Sequence, residues 1–411
     1  METRRVVVTG AAGITALGSD WPTILEGLKA QRNCVRFQPS FAAVKGLNSH
    51  VGAPAAPFEL PPHYTRKRTR TMGRNALLAV RSTELALEQA GLLGDEVLKS
   101  GRAGVSYGSS SGSSDALEEM SHVRVSQSAR KINATSYVRM MSHTAAANIS
   151  MFFGLKGRVI PTISACTAGS QGVGYGFEAV RYGLQDVMVV GGSEELCPSH
   201  AGVFDVLYAT STMNEHPEQT PRPFDLRRDG LVVGEGAATL VLESLDHARA
   251  RGAPVLAELT GFATNSDGNH VTRPDRASMR RVMEQALAAA GVEPSQIGYV
   301  SAHGTATGAG DIAESNATAD LFGDRVPVAS LKSYTGHTLG ACGAIEAWLS
   351  IEMMREGWFA PNLNLDEVDP ACGDLDYIRD EGRSLKVERV MSNNFAFGGI
   401  NTSLVFERLS D

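Results

Sequence analysis

Ten short apolar runs, spaced along 411 residues and separated by stretches of helical periodicity, constrain this chain more than any other feature. Residues 5–10, 102–107, 158–164, 186–192 and 237–242 are β-rich, and a second set follows at 255–262, 297–302, 326–330, 388–392 and 402–407. Between them, apolar residues three and four apart predict helices, among them 76–90, 276–290, 311–321 and 340–355. Strands that alternate with helices are joined by crossovers, which favours parallel pairing and sheets covered by helices. The expected fold class is therefore α/β. It comprises two similar halves, 1–250 and 251–411, each with a mostly parallel five-stranded sheet covered by helices. Loops at the carboxyl ends of the strands are where such folds place chemistry.

One of these junctions carries a thiol. A β-rich run feeds Thr162-Ile163-Ser164-Ala165-Cys166-Thr167-Ala168-Gly169-Ser170, and a Gly-rich helical pattern follows to about Gly183. Cys166 is thus expected on a tight strand-to-helix turn. There, backbone N–H groups at the positive end of the helix dipole favour thiolate over thiol and can hold an oxyanion. Taken alone, a cysteine in such a place is more often a small buried hydrophobe.

Composition removes several classes of function. A net charge of −7 with mixed signs argues against a nucleic-acid binder. The five cysteines, at 34, 166, 197, 342 and 372, have neither CxxC nor zinc-like spacing, so a disulfide framework and a metal site are both poorly supported. The N-terminal residues enter a strand rather than a signal-peptide core, and no run of about 18 apolar residues occurs. The expectation is a cytoplasmic protein with no membrane span.

Three further loops stand out. Val300 to Glu314 ends a strand in His303, passes through Gly304-Thr305-Ala306-Thr307, and opens a helix with Asp311 and Glu314. Lys332 to Glu346 repeats that plan around Gly336-His337-Thr338, and Cys342 falls inside it. Ser392 to Asn401 reads as a hairpin whose Phe397-Gly398-Gly399 turn could present a backbone N–H and a movable ring to a pocket. A thiolate can hold an acyl group as a thioester, and two neutral histidines can stabilise an enolate beside it. Two glycine-containing segments support weaker readings. Thr9 to Ile14 lacks the full GxGxxG spacing of a dinucleotide loop, and Gly108 to Ser114 lacks the Gly-Lys ending of a P-loop. Arg66, Lys67, Arg68, Arg70 and Arg74 place five basic side chains within nine residues, which suits a solvated helix start, a nucleic acid or an acidic protein partner.

The motifs Ala165-Cys166-Thr167-Ala168-Gly169, Arg222-Pro223-Phe224-Asp225 with Gly234-Glu235-Gly236, His303-Gly304-Thr305, Lys332 with Gly336-His337, and Phe397-Gly398-Gly399 occur in one order. Together they resemble the elongating β-ketoacyl-acyl-carrier-protein synthases, condensing enzymes with the layered αβαβα thiolase fold. The resemblance implies Cys166 as the acylated nucleophile, with the N–H groups of Cys166 and Phe397 as its oxyanion hole. It gives His303 and His337 to malonyl decarboxylation. Lys332 and Glu346 would be an ion pair near the second histidine, and Asp311 and Glu314 would buttress the first. Thr305 and Thr307 would contact the carrier's pantetheine arm. Ser109, Ser110, Ser111, Thr135 and Ser136 fall where the family lines its acyl pocket, here more polar or roomier. The implied partners are acyl and malonyl thioesters on an acidic acyl carrier protein, which bears the phosphopantetheine arm, so no cofactor is expected on the enzyme. Arg66, Lys67, Arg68, Arg70, Arg74, Arg130 and Lys131 become docking candidates. A homodimer is expected, with a heterodimer of homologous subunits as the alternative. A non-catalytic chain-length partner would lack the nucleophile, and coenzyme A-dependent relatives would lack the second histidine.

Overall fold

The computed structural model describes residues 3–409. The first half contributes β1 (Val6–Ile14), β2 (Ala103–Gly108), β3 (Val159–Thr162), β4 (Val187–Glu194) and β5 (Gly236–Ser244). The second contributes β6 (Ala257–Ser266), β7 (Tyr299–Ser301), β8 (Pro327–Ala329), β9 (Asp376–Tyr377), β10 (Arg389–Phe395) and β11 (Ile400–Glu407). All eleven join one sheet in the order β9-β8-β7-β10-β11-β6-β1-β5-β4-β2-β3. With the short β9 set aside, each half runs third, second, fourth, fifth, first, so the repetition seen in the sequence is a repetition of topology.

The two first strands meet at the centre, antiparallel, with Val7 opposite Glu258 and Val8 opposite Ala257. Parallel pairing belongs to the outer strands, β2 with β3 and β4, and β7 with β8 and β10. The inner strands pair antiparallel. For β10 and β11 the reason is plain: the short turn between them can close a hairpin but cannot make a parallel crossover.

Six helices define the layers: α1 (Arg74–Gln89), α2 (Thr144–Phe153), α3 (Ala168–Arg181), α4 (Arg276–Ala290), α5 (Gly308–Phe322) and α6 (Cys342–Glu356). Helices α1 and α2 cover the outer face of the first half, and α4, with α5 against it, covers that of the second. Helices α3 and α6 pack on each other and on strands of both halves, which makes the middle layer. Every residue of α6 from Cys342 to Met354 is buried, as expected of a helix with no solvent face. Small residues let the two central helices touch. A Cβ on Gly169 would lie 2.8 Å from the Gly340 carbonyl, and one on Gly343 would lie 2.7 Å from Ser170 Cβ.

The segment Thr9 to Ile14 is not a loop, which removes the dinucleotide reading. It is the far end of β1, paired with β5 as far as Ile14 opposite Ala237. Its glycines admit neighbours: a Cβ would lie 2.2 Å from the Ala86 carbonyl at Gly10 and 2.5 Å from the Trp348 ring at Gly13. Among the described residues no helix is long and apolar enough to cross a membrane.

Candidate active site

Strand β3 ends at Thr162, α3 begins at Ala168, and a single 3-10 turn, Ala165–Thr167, lies between them. Ala165 takes a left-handed φ of +51°, an uncommon state for a residue with a Cβ. Hydroxyls of the motif hold the turn. Thr162 Oγ1 donates to the Ala168 carbonyl (2.7 Å), and Thr167 Oγ1 donates to the Ser164 carbonyl (2.8 Å). Cys166 is only 5% exposed. Burial pushes its thiol up to about 11, against the pull of Lys332 and of the backbone N–H groups of Phe397 and Cys166 that face the sulfur. The resting thiolate expected from the helix dipole is therefore corrected to a resting thiol, because desolvation outweighs the dipole.

The proton has somewhere to go. His337 Nε2 lies 3.0 Å from Cys166 Sγ. The rings of His303 and His337 stand perpendicular at a centroid distance of 5.1 Å. Cys166 Sγ and one nitrogen of each histidine all lie within 4.8 Å of one another. Burial, then Lys332, holds both imidazoles well below the usual histidine value, so both are neutral. Nδ1 of His303 contacts Lys332 Nζ at 3.2 Å and Asn394 Nδ2 at 3.3 Å. The amide orientation is set by the 2.7 Å bond that Nδ2 donates to Glu346 Oε2. Both neighbours are donors, so Nδ1 accepts and the single ring proton sits on Nε2. His303 thus presents an N–H rather than a metal-binding lone pair, although the three side chains have a zinc-like composition.

Lys332 and Glu346 form a buried ion pair. It lies against the first histidine, His303, rather than near the second as the resemblance implied; Lys332 Nζ reaches the ring through the 3.2 Å contact. Burial works against the lysine's charge, yet the carboxylate of Glu346 raises its pKa above the ordinary value. Glu314 accepts from the N–H groups of His303 (2.6 Å) and Gly304 (2.7 Å). Burial lifts its carboxyl to about 8. Asp311 accepts from the N–H groups of Phe224, Thr305 and Ala306, and burial lifts it to about 6. Two residues given no role from the sequence also touch the centre. Asn394 ties Glu346 to His303, and the Cys342 thiol donates to the Cys166 carbonyl at 3.2 Å. The Asn393-Asn394 pair inside an apolar strand was the available signal for the first.

A cavity of about 340 Å³ leads to this centre. Cys166, His303, His337, Thr305, Thr307 and Phe397 are all on its wall. The threonine hydroxyls meet at 2.9 Å. The turn bearing Phe397 needs a left-handed backbone only at Gly398 (φ +88°) and Gly399 (φ +70°), and Ala396 keeps a negative φ.

Ser111, Thr135 and Ser136 do not line this cavity. Their hydroxyls are occupied elsewhere: Ser111 with His200 Nε2 (2.9 Å), Thr135 with Asn133 (2.6 Å), Ser136 with Glu119. Ser109 accepts from Asn75 (2.7 Å), and Ser110 donates through its backbone to the buried Glu194 (2.8 Å). Arg66, Lys67, Arg68, Arg70, Arg130 and Lys131 are exposed and lie off the cavity wall. Arg74, half-exposed, also has a structural partner. It holds the buried Glu235 with two bonds, at 2.5 and 2.6 Å, which neutralise its charge.

Comparison with known proteins agrees with this geometry. The family profile described as "Beta-ketoacyl synthase, N-terminal domain" matches residues 3–248, and that for the C-terminal domain matches 256–366. A 3-oxoacyl-[acyl-carrier-protein] synthase 2 of Coxiella burnetii is 35% identical over 100% of both chains. The crystal structure of a β-ketoacyl synthase from Burkholderia phymatum STM815 superposes with a TM-score of 0.98 at 56% identity, covering 99% of this chain and 100% of that one. AntDE:AntF, a type II polyketide ketosynthase in complex with its acyl carrier protein, superposes with a TM-score of 0.88 at 30% identity, covering 99% and 100%. With two halves of one topology, a cysteine turn from the first and two histidine loops from the second meeting at one cavity, this chain belongs to the β-ketoacyl synthase family of condensing enzymes.

Proposed function

We propose that this protein is a β-ketoacyl-[acyl-carrier-protein] synthase, extending a Cys166-bound acyl chain by two carbons with malonyl carrier in fatty-acid, polyketide or polyene biosynthesis. The observation that carries the reading is the meeting of Cys166 Sγ and one nitrogen of each histidine within 4.8 Å at the end of one cavity. Both halves supply part of that centre, so neither 1–250 nor 251–411 is expected to turn over alone.

In the first half-reaction the thiol of Cys166 attacks the acyl thioester and passes its proton by way of His337 to the departing thiolate of the carrier arm. The tetrahedral oxygen is held by the N–H groups of Cys166 and Phe397. Malonyl carrier then replaces the free carrier, its arm running past Thr305 and Thr307. Its carboxylate carbon–carbon bond breaks, CO2 leaves, and the enolate oxygen is held by Nε2–H of His303. A neutral histidine donates this bond without giving up a charge to the enolate. The enolate carbon attacks the Cys166 thioester, the same oxyanion hole holds the second tetrahedral oxygen, and collapse expels the Cys166 thiolate, which takes a proton from solvent. The product is a 3-ketoacyl carrier two carbons longer. Lys332, Asn394 and Glu346 act on this chemistry by fixing the His303 proton on Nε2.

The prosthetic arm belongs to the carrier, and the working form is a homodimer in the cytoplasm. The edge strand β3 and the residues beside it expose Val159, Ile163 and Met151, apolar side chains suited to a second copy. A partner-only role in a ketosynthase heterodimer would leave Cys166 and its base without purpose. Mass spectrometry after incubation with carriers loaded with short saturated, long saturated, polyene and aryl chains should show an adduct on Cys166. A folded enzyme that takes no adduct from any donor would contradict the reading.

A further inference from the structure

Two residues to which the condensation assigns no part shape the turn that opens helix α5. Thr307 is the N-cap of that helix, the position from which a threonine hydroxyl ordinarily accepts an N–H of the first turn. Among the described residues it makes no such bond, and its Oγ1 instead meets that of Thr305 at 2.9 Å on the cavity wall. Gly310 makes room for this side-chain direction. A Cβ there would lie 2.4 Å from Thr307 Oγ1 and 3.4 Å from Thr305 Oγ1. Alanine favours a helix more than glycine does, so Gly310 spares the hydroxyl pair at the expense of α5.

Arg228 grips the same turn from the polar segment between β4 and β5. Its side chain is only 4% exposed. Nη2 donates to the Gly308 carbonyl (3.1 Å), Nε to that of Thr307 (3.4 Å) and Nη1 to that of Asp225 (2.9 Å). A cation at the N-terminal end of a helix opposes the helix dipole, so α5 gains nothing from this charge. Two carboxylates offset it, Asp369 at 2.7 Å and Asp311 at 3.7 Å. Asp311 in turn accepts the N–H groups of Thr305 and Ala306. One planar fork therefore fixes the backbone from Thr305 to Gly308, directly through two carbonyls and indirectly through Asp311.

We infer that Arg228 and Gly310 are positioning residues for the Thr305–Thr307 hydroxyl pair, holding the two oxygens together and towards the cavity so that they take an amide group of the malonyl carrier's thioester arm. Of two bonded hydroxyls one donates to the other, which keeps its own hydrogen for an amide carbonyl. A rotated Thr307 side chain, or a displaced Thr307 backbone, breaks that arrangement. The inference rests on the condensing reading above.

The test measures malonyl-carrier kinetics by CO2 release and, beside it, the iodoacetamide labelling rate of Cys166, which involves no arm. Arg228→Lys keeps the charge and loses the fork; Gly310→Ala favours the helix and crowds the hydroxyl. Each should raise KM for malonyl carrier about tenfold and leave kcat within about threefold, the mark of lost substrate binding. Labelling of Cys166 should stay within about twofold, and the melting temperature of Gly310→Ala should not fall. In a Thr307→Ala background, which has already lost the hydroxyl, neither change should raise KM further. An unchanged KM in either folded variant, equal losses in kcat and labelling, or effects that add to that of Thr307→Ala overturn the inference. If Arg228→Lys does not fold, Gly310→Ala decides alone. An unsubstituted enzyme that releases no CO2 from malonyl carrier contradicts the condensing reading itself, and this inference falls with it.

Discussion

The turns that open the two central helices share one backbone and differ in chemistry. In the first half, Ala165 at φ +51° starts a 3-10 turn that ends at Thr167, and α3 follows; in the second, Leu339 at φ +45° starts a 3-10 turn that ends at Ala341, and α6 follows. Position by position, Cys166 corresponds to Gly340 and Ala168 to Cys342. The nucleophile thus has a counterpart with no side chain. A Cβ on Gly340 would lie 2.5 Å from the Ser110 nitrogen, and its own N–H donates to the buried Glu194 at 3.1 Å. The second half instead places its chemistry just upstream, on Lys332 and His337. The duplicated turn therefore supplies position twice and sulfur once, and the close helix contact at Gly169 and Gly343 brings the two kinds of group to one point.

The largest expected break in this comparison is removal of the sulfur. Cys166→Ala should lower condensation by about 10⁴-fold or more, because every later step needs the thioester. Lys332→Met should come next, leaving Glu346 buried without its partner at a cost of about 3–5 kcal/mol and removing a donor that fixes the His303 tautomer. Thermal unfolding and CO2 release from malonyl carrier should both fall. Gly340→Ala adds the missing side chain to the second turn, and overpacking against Ser110 should cost about 1–3 kcal/mol by chemical denaturation. Asn394→Ala strands one lone pair of Glu346 and should cost a similar or smaller amount, with CO2 release reduced more than Cys166 acylation. The mildest probe is pH. Because burial lifts the Cys166 thiol to about 11, thiolate grows as pH rises towards that value, so iodoacetamide labelling of Cys166 should still be accelerating at pH 10. A plateau near pH 9 would indicate an unshifted thiol.

Much of this architecture is legible in the sequence because its signals are local. The ten longer strands and the central helices announce themselves by period and length, and the three glycine-flanked loops fall at strand ends. Strand β9 is two residues long and has no period to read. Other features depend on contacts between distant residues. Arg74 looks like its neighbours Arg66 to Arg70, and only the fold brings Glu235, 161 positions away, to neutralise it. Gly10 and Gly13 resemble a loop because the helix and the Trp348 ring that require them are absent from the local sequence. Asn394 gains its meaning from Glu346 and His303 on two other elements, and the raised Cys166 thiol reflects burial that a dipole argument leaves out.

The central claim is a division of labour: the first turn holds the acyl chain, and the loops of the second half make the carbanion. Its most direct test sets CO2 release from malonyl carrier by Cys166→Ala beside mass-spectrometric acylation of Cys166 in His303→Ala. The sulfur-free variant should still release CO2, and the His303 variant should still take up the acyl group while releasing little. A folded Cys166→Ala enzyme that cannot decarboxylate, or a His303→Ala enzyme that cannot be acylated, would contradict it.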